Sequence, residues 1–286
     1  MKEVIFTADY FKDDYRGGAE LTTDAIMTQR PEDLRVYRVH ASKVTQEFVE
    51  KHKDKHWVVC NFSSLEDKIK VYMCKNIQYS IVEYDYKFCK YRSLEKHKAI
   101  TKNDCDCIQT FEGRVNSAFY GYAQRIWFMS EKQKNIFLEN VKTIKEERTH
   151  VLSSVFEMAD LKYMDILKNN EKNDRYLILK SGSWIKGTND CIEYANKNNL
   201  KYELVEGLPY HELLIKMSLS KGLIFMPLGG DTCPRIVIEA KMLGCDVILN
   251  DYVQHKDESW FSDTQAVCYE YLKERPSVFW SHYEQK

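Results

Sequence analysis

Short apolar runs alternate with helical patterns along this whole chain, and that rhythm restricts its fold more than any other feature. In the first half, residues 4–7, 36–39, 57–61, 79–82, 126–129 and 149–152 read as strands. Helical patterns over 19–29, 46–53, 66–75 and 131–141 separate them, and a polar, Lys-rich stretch follows residue 82 as far as about residue 102. The second half repeats the rhythm, with strands at 176–179, 201–205, 222–226 and 246–250 and helices at 188–198, 210–220 and 235–243. A run such as Gly222-Leu223-Ile224-Phe225-Met226 has no polar face to give to solvent. Strands of that kind belong in parallel sheets covered by helices on both sides. The length of 286 residues suits two domains of roughly 100–150 residues each. The expected architecture is α/β, with two Rossmann-like parallel-sheet domains facing across a cleft. The boundary falls near 153–160, giving a first domain at 1–155 and a second at 156–269.

Ligands of open parallel sheets bind beyond the carboxyl ends of the strands, and four motifs stand at such ends. Gly229-Gly230-Asp231-Thr232-Cys233-Pro234-Arg235-Ile236-Val237-Ile238-Glu239 joins a strand to a helix and sets two carboxylates eight positions apart. Pro234 suits a helix start, where its missing N–H has no partner to lose. The free N–H groups of such a start favour an anion such as a diphosphate. Arg16-Gly17-Gly18-Ala19-Glu20 follows the first strand and opens a helix. Lys180-Ser181-Gly182-Ser183-Trp184-Ile185-Lys186-Gly187 follows the strand at 176–179, and Glu206-Gly207-Leu208-Pro209-Tyr210 lies between a strand and a helix. In this order the four resemble the family 4 retaining glycosyltransferases: their G-G-x-E loop, their diphosphate loop ending in Lys-Gly, their nucleobase loop, and their E-x7-E signature with Asp in the first place. The resemblance covers nearly the whole chain. It implies a GT-B fold, with the first domain on the acceptor side and the second holding the nucleotide-sugar. It also implies that the C-terminal helix, about 270–286 and rich in Tyr and Trp, packs back on the first domain.

Carried over residue by residue, the resemblance implies that Lys186 neutralises the donor diphosphate, that Asp231 meets sugar hydroxyls, and that Glu239 bonds the ribose. These three are the expected catalytic residues. Gly17, Gly18, Gly207, Leu208, Thr232, Cys233 and Arg235 complete the expected donor site. Three departures matter. Ser181 stands where the family has an arginine, and Arg235 is the candidate replacement, the alternative being an exposed first-turn helix residue. Asp231 is one methylene shorter than Glu. Pro234 replaces a common Gly and cannot donate an N–H. For Glu239 the alternative is a helix-face carboxylate paired with Lys241 or another base. A donor diphosphate neutralised by Lys, Arg and helix N-termini needs no metal or other cofactor; the nucleotide-sugar, UDP- or GDP-linked, is a cosubstrate.

On the acceptor side, Asn61, Glu83 and Asp85 stand at strand ends where carboxylates and an amide suit hydroxyl groups; a solvated loop is the alternative. The segment Asn250-Asp251-Tyr252-Val253-Gln254-His255-Lys256 follows a strand and is placed to close over the donor. A formal net charge of -1 argues against a dedicated non-specific nucleic-acid binder. No apolar run approaches the roughly 20 residues that span a bilayer, and the start reads as a strand, not a signal peptide. The nine cysteines are scattered, which fits reduced thiols in a cytoplasm. Cys105-x-Cys107 is the one close pair and lacks the spacing of common zinc motifs, so no metal site is expected. The expected function is transfer of a sugar to a glycan hydroxyl with retention. The alternatives are transfer to a modified nucleic-acid base and a non-catalytic sugar- or nucleotide-binding subunit.

Overall fold

The computed structural model describes residues 2–284. The chain divides into two compact units, one running to Val155 and resuming at Arg275, the other spanning Phe156–Glu274. The first contains β1 (Lys2–Ala8), α1 (Gly18–Thr28), β2 (Leu34–His40), α2 (Gln46–Lys51), β3 (His56–Val59), α3 (Asp67–Asn76), β4 (Gln78–Glu83), α4 (Leu94–Thr101), α5 (Phe111–Tyr122), β5 (Arg125–Phe128), α6 (Glu131–Asn140) and β6 (Thr149–Val151). The second contains α7 (Met158–Leu167), β7 (Tyr176–Leu179), α8 (Thr188–Lys197), β8 (Tyr202–Val205), α9 (Tyr210–Ser218), β9 (Gly222–Phe225), α10 (Arg235–Met242), β10 (Asp246–Leu249) and α11 (Ser259–Ser262). Helix α12 (Gln265–Glu284) gives its first part to the second unit and, from Arg275, its remainder to the first.

The first sheet runs β2-β1-β3-β4-β5-β6 and the second β10-β9-β7-β8, and every pairing is parallel. The architecture is thus the expected α/β one, with two parallel sheets. In each sheet the chain starts inside, adds its second strand on one side, then crosses to the other. That reversal makes a topological switch point, where adjacent strand-end loops diverge and leave a crevice. The switch lies between β1 and β3 in the first sheet and between β7 and β9 in the second.

Burial explains the strand sequences. Trp57, Val58 and Val59 in β3 and Leu223, Ile224 and Phe225 in β9 are wholly inaccessible to solvent. The first core continues into the C-terminal helix. Phe6 of β1 meets Trp280 with ring centroids 6.0 Å apart, Trp127 of β5 meets Phe279 at 5.3 Å, and Trp280 Nε1 donates to the Ile26 carbonyl at 2.9 Å. Side-chain caps define several helix starts: Thr45, Ser93, Thr110 and Ser130 each accept from a backbone N–H one turn on, a bond that contributes about 1 kcal/mol per helix. Four helices go beyond the sequence reading: α4 and α5, which fill the stretch between β4 and β5, α7, which begins in the segment read as the boundary, and the short α11 after β10.

Candidate functional site

The second switch point gathers the strongest constellation. The loop after β7 is pinned by Thr188, whose hydroxyl donates to the Leu179 carbonyl at 2.9 Å and accepts from the Ser181 N–H at 3.2 Å. It ends in Lys186, whose Nζ donates to Asp231 Oδ2 at 2.8 Å. Asp231 stands 45 residues later in the loop after β9, and a backbone bond from Leu228 to the Ile185 carbonyl, 3.1 Å, joins the two loops directly. The ammonium and carboxylate keep 29 % and 14 % of their side-chain surface exposed, so both remain reachable from solvent. Asp231 is held from its far side by the segment after β10. Its N–H donates to the Tyr252 carbonyl and its carbonyl accepts from Gln254, forming a bridge with Val253.

Helix α10 follows, with Pro234 as its N-cap. Arg235 and Glu239 face inward and are almost completely buried. The Arg235 guanidinium lies 3.8 Å over the Phe156 ring, its Nε is 3.5 Å from Glu239 Oε1, and its Nη2 donates to the Tyr210 hydroxyl at 3.4 Å. Tyr210 in turn donates to Glu239 Oε1 at 3.0 Å. Burial raises the Glu239 carboxyl above its ordinary range, and Arg235 opposes that rise. Arg235 therefore sits in a buried ion pair, not on the loop surface where the missing family arginine would act. Thr232 and Cys233 are buried between Asp231 and Pro234, whereas Gly207 and Leu208 lie on the exposed loop between β8 and α9.

His255 ends the segment that backs Asp231. It is wholly buried, its ring stacks on Trp260 at 5.4 Å, and neither ring nitrogen has a hydrogen-bond partner among the described residues. Burial alone lowers its pKa from 6.5 to about 3. A histidine depressed in the folded state contributes stability that is present above pH 6.5 and is lost as pH falls below it towards 3. Between pH 6.5 and pH 4.5 the second unit should lose about 2 kcal/mol through this residue. Urea unfolding at the two pH values should show that loss in wild type and not in a His255→Phe variant. Equal acid sensitivity in both would refute the assignment.

In the first unit the β1/β3 switch point collects Gly17, Gly18, Glu20 and Asn61. Gly17 caps α1, and a Cβ there would come within 2.5 Å of Glu20 Oε2. Burial raises the Glu20 carboxyl above its ordinary range. Asn61 Oδ1 accepts from Arg92 Nη2 at 3.4 Å, and Arg92 Nε donates to Asp85 Oδ2 at 2.6 Å. Lys87 Nζ donates to Glu83 Oε1 at 2.7 Å and to Asp85 Oδ1 at 3.0 Å, and the Tyr120 hydroxyl donates to Glu83 Oε2. Burial pushes the Glu83 carboxyl up to about 7. Glu83 is fully enclosed, so it fixes its neighbours and does not face a ligand. A groove of about 440 Å³ opens beside this network, lined among others by Lys70, Lys87, Lys90, Arg92, Glu112 and Asn116. A larger hollow of about 750 Å³, lined by Lys2, His56, Gln78 and Arg125, lies at the amino ends of the same strands. That is the wrong end of a parallel sheet for ligand chemistry. Lys87 and Arg92 belong to the basic segment that the sequence offers to an anionic or ring-bearing acceptor, but their partners here are Glu83, Asp85 and Asn61; Tyr120, and Tyr210 as the partner of Glu239, are not expected from the sequence.

Two units, each built on an all-parallel sheet with its own switch point, are the architecture of the GT-B fold. Solved structures show the same fold over nearly the full length. Anabaena HepE in complex with UDP and glucose has a TM-score of 0.58 at 9% identity, covering 100% of this chain and 99% of that one. The E. coli trehalose-6-phosphate structure bound with UDP-2-fluoro glucose has a TM-score of 0.59 at 8% identity, covering 98% and 95%. Sucrose-phosphate synthase from Thermosynechococcus elongatus has a TM-score of 0.56 at 12% identity, covering 100% and 99%. No protein-family profile and no curated protein sequence matches the chain. No helix among the described residues is long and apolar enough to cross a membrane.

Proposed function

We propose that this protein is a glycosyltransferase that moves a sugar from a nucleotide-sugar, UDP- or GDP-linked, to an acceptor hydroxyl with retention of configuration. The observation that carries this reading is the Lys186–Asp231 pair at the β7/β9 switch point. Lys186 neutralises the leaving diphosphate together with the backbone N–H groups that open α10, so the transfer itself needs no metal. Asp231 orients sugar hydroxyls, while Thr232 and Cys233 bring backbone close to the phosphates. Gly207 and Leu208 meet the base. Glu239 meets the ribose through Oε2, since its hydrogen bond from Tyr210 and its ion pair with Arg235 among the described residues engage Oε1. Arg235 and Tyr210 act on the donor indirectly, by holding that carboxylate ionised and in place.

Glu239→Gln keeps an acceptor for Tyr210 but removes the charge. Loss of a charge-assisted bond of roughly 1.5–3 kcal/mol should weaken nucleoside-diphosphate binding by about 10–100-fold. Calorimetry with UDP and GDP measures it. Unchanged affinity in a folded variant rejects the ribose role, and no binding of either nucleotide by wild type rejects the donor class.

A glycan is the acceptor the groove fits better than a nucleic acid. Three of its four cations are matched by carboxylates, Lys70 by Asp67, Lys87 by Glu83 and Asp85, and Arg92 by Asp85, while the fourth, Lys90, lies over the Tyr91 ring with Glu112 on the same lining. Little positive field is left for a polyanion. Acceptor KM should therefore change less than about twofold across a fourfold rise in salt, whereas contacts to several phosphates would change it by orders of magnitude. Donor binding without any donor hydrolysis or transfer would favour the non-catalytic reading.

A further inference from the structure

The stretch between β4 and α5 is rich in charge, and after Phe88, which packs on Phe137, it buries little apolar surface. Helix α4 within it buries one side chain, His97. Ile100, its C-terminal apolar residue, is half exposed. Beyond the His97 imidazole only the partly buried Leu94 packs α4 on the core, which is little apolar burial to hold an eight-residue helix in place. What surrounds that imidazole is chemically specific. The ligand-type atoms of Cys89, His97, Cys105 and Cys107 all lie within 4.8 Å of one another. His97 Nδ1 is 3.7 Å from Cys89 Sγ and 3.4 Å from Cys107 Sγ. Zinc bonds of about 2.3 Å to sulfur and 2.0–2.1 Å to nitrogen set the corners of a tetrahedron roughly 3.5–3.8 Å apart, which matches these separations.

The surroundings are those of a thiolate–imidazole centre. His97 turns Nδ1 towards the sulfurs, and its Nε2 lies 3.8 Å from Asp106 Oδ1, the carboxylate placed to take the other ring proton. The backbone N–H of Lys90 donates to Cys107 Sγ at 3.5 Å. Cys89, His97 and Cys107 are buried, and all nine cysteines are unbridged. We infer that Cys89, His97, Cys105 and Cys107 form a closed, four-ligand structural Zn²⁺ site in the first unit. Binding displaces the three thiol protons to solvent and leaves the imidazole neutral, so the centre carries one net negative charge within a lysine-rich segment. No ligand position is left open for water, which assigns the ion to architecture. It ties α4 and the segment leading into α5 to the turn after β4. That turn carries Lys87 and Arg92, the residues that organise Glu83, Asp85 and Asn61. The spacing, Cys-x7-His-x7-Cys-x-Cys, matches no common zinc motif, and only the fold brings the four together.

The test uses the full-length protein, expressed with zinc supplied and purified without chelator. Elemental analysis should find about one zinc per chain. Cys105→Ser and His97→Ala should each reduce that content at least about fivefold, while Cys245→Ser, outside the cluster, should not change it. Because the first two variants can lose their fold, wild-type protein is also stripped, reloaded with Co²⁺ and examined by absorption. Thiolate-to-cobalt charge-transfer bands with strong tetrahedral d–d bands support the site. Zinc below about 0.1 per chain together with no tetrahedral cobalt spectrum overturns it, as does recovery of Cys89, Cys105 or Cys107 in a disulfide.

Discussion

Replacing Lys186 by alanine is expected to lower turnover by about 10²–10³-fold while weakening sugar-nucleotide binding far less. In the proposed transfer negative charge builds on the leaving diphosphate in the transition state, and an ammonium in a partly water-excluded site is worth most at that moment. Lys186 is suited to this because it is half free. Asp231 holds its Nζ at 2.8 Å and orients it, and nearly a third of the side chain remains open. A fully buried lysine would be locked to its partner, and a fully exposed one would be screened by water and salt. Lys186→Arg should recover part of the activity, since it keeps the charge but changes its reach. Single-turnover kinetics with saturating donor decide the matter. A folded Lys186→Ala protein that turns over within about threefold of wild type would remove Lys186 from the reaction and leave backbone N–H groups as the only phosphate ligands.

The parallel sheets were legible because their strands lack a polar face. Residues 57–59, 126–128 and 222–225 have nothing to show to water, so their place was fixed by composition alone. Helix α5 was not legible. Its sequence, Phe-Glu-Gly-Arg-Val-Asn-Ser-Ala-Phe-Tyr-Gly-Tyr, has two glycines and four aromatics, all weak helix formers. Packing overrides that weakness. Phe119 stacks on Tyr79 at 4.6 Å, and the Tyr120 hydroxyl reaches Glu83. Helix α7 did carry a helical pattern, with Leu161 and Met164 on its buried face, but it starts at the residues read as a linker.

The candidate site shows the same division. Lys186, Asp231 and Glu239 are legible as candidates because each sits in a local strand–loop–helix pattern that sequence records. Their partners are not, because a pairing over 45 residues or a tyrosine 29 residues before its carboxylate leaves no spacing to read. Arg235 shows why a position alone misleads. Read along the chain it borders the phosphate loop, yet one turn of helix rotates it into the interior beside Phe156. A buried guanidinium in that setting needs the Glu239 carboxylate, and the carboxylate needs it.

Gly187→Ala is expected to destabilise the second unit by several kcal/mol, and comparison with two other glycines separates the causes. Gly187 has a φ of +59°, and a Cβ there would lie 1.8 Å from the Met226 carbonyl oxygen, in the backbone of the loop after β9. The left-handed conformation costs an L-residue roughly 1–2 kcal/mol, and relieving a clash with fixed backbone costs roughly 1–3 kcal/mol more. Gly207 has a φ of +65° but open space around it, so Gly207→Ala should show the conformational part alone. Gly182 has neither a positive φ nor a neighbour within 4 Å, so Gly182→Ala should stay within about 0.5 kcal/mol of wild type. Denaturant unfolding of the three variants gives the order directly. The loop after β7 can relieve the contact at Gly187 only by moving away from the loop after β9, which parts Lys186 from Asp231. A Gly187→Ala protein that remains partly folded should therefore lose turnover out of proportion to its loss of stability. If its stability matches that of Gly207→Ala, the close approach of the two loops is not rigid, and the geometry of the Lys186–Asp231 pair must be set elsewhere.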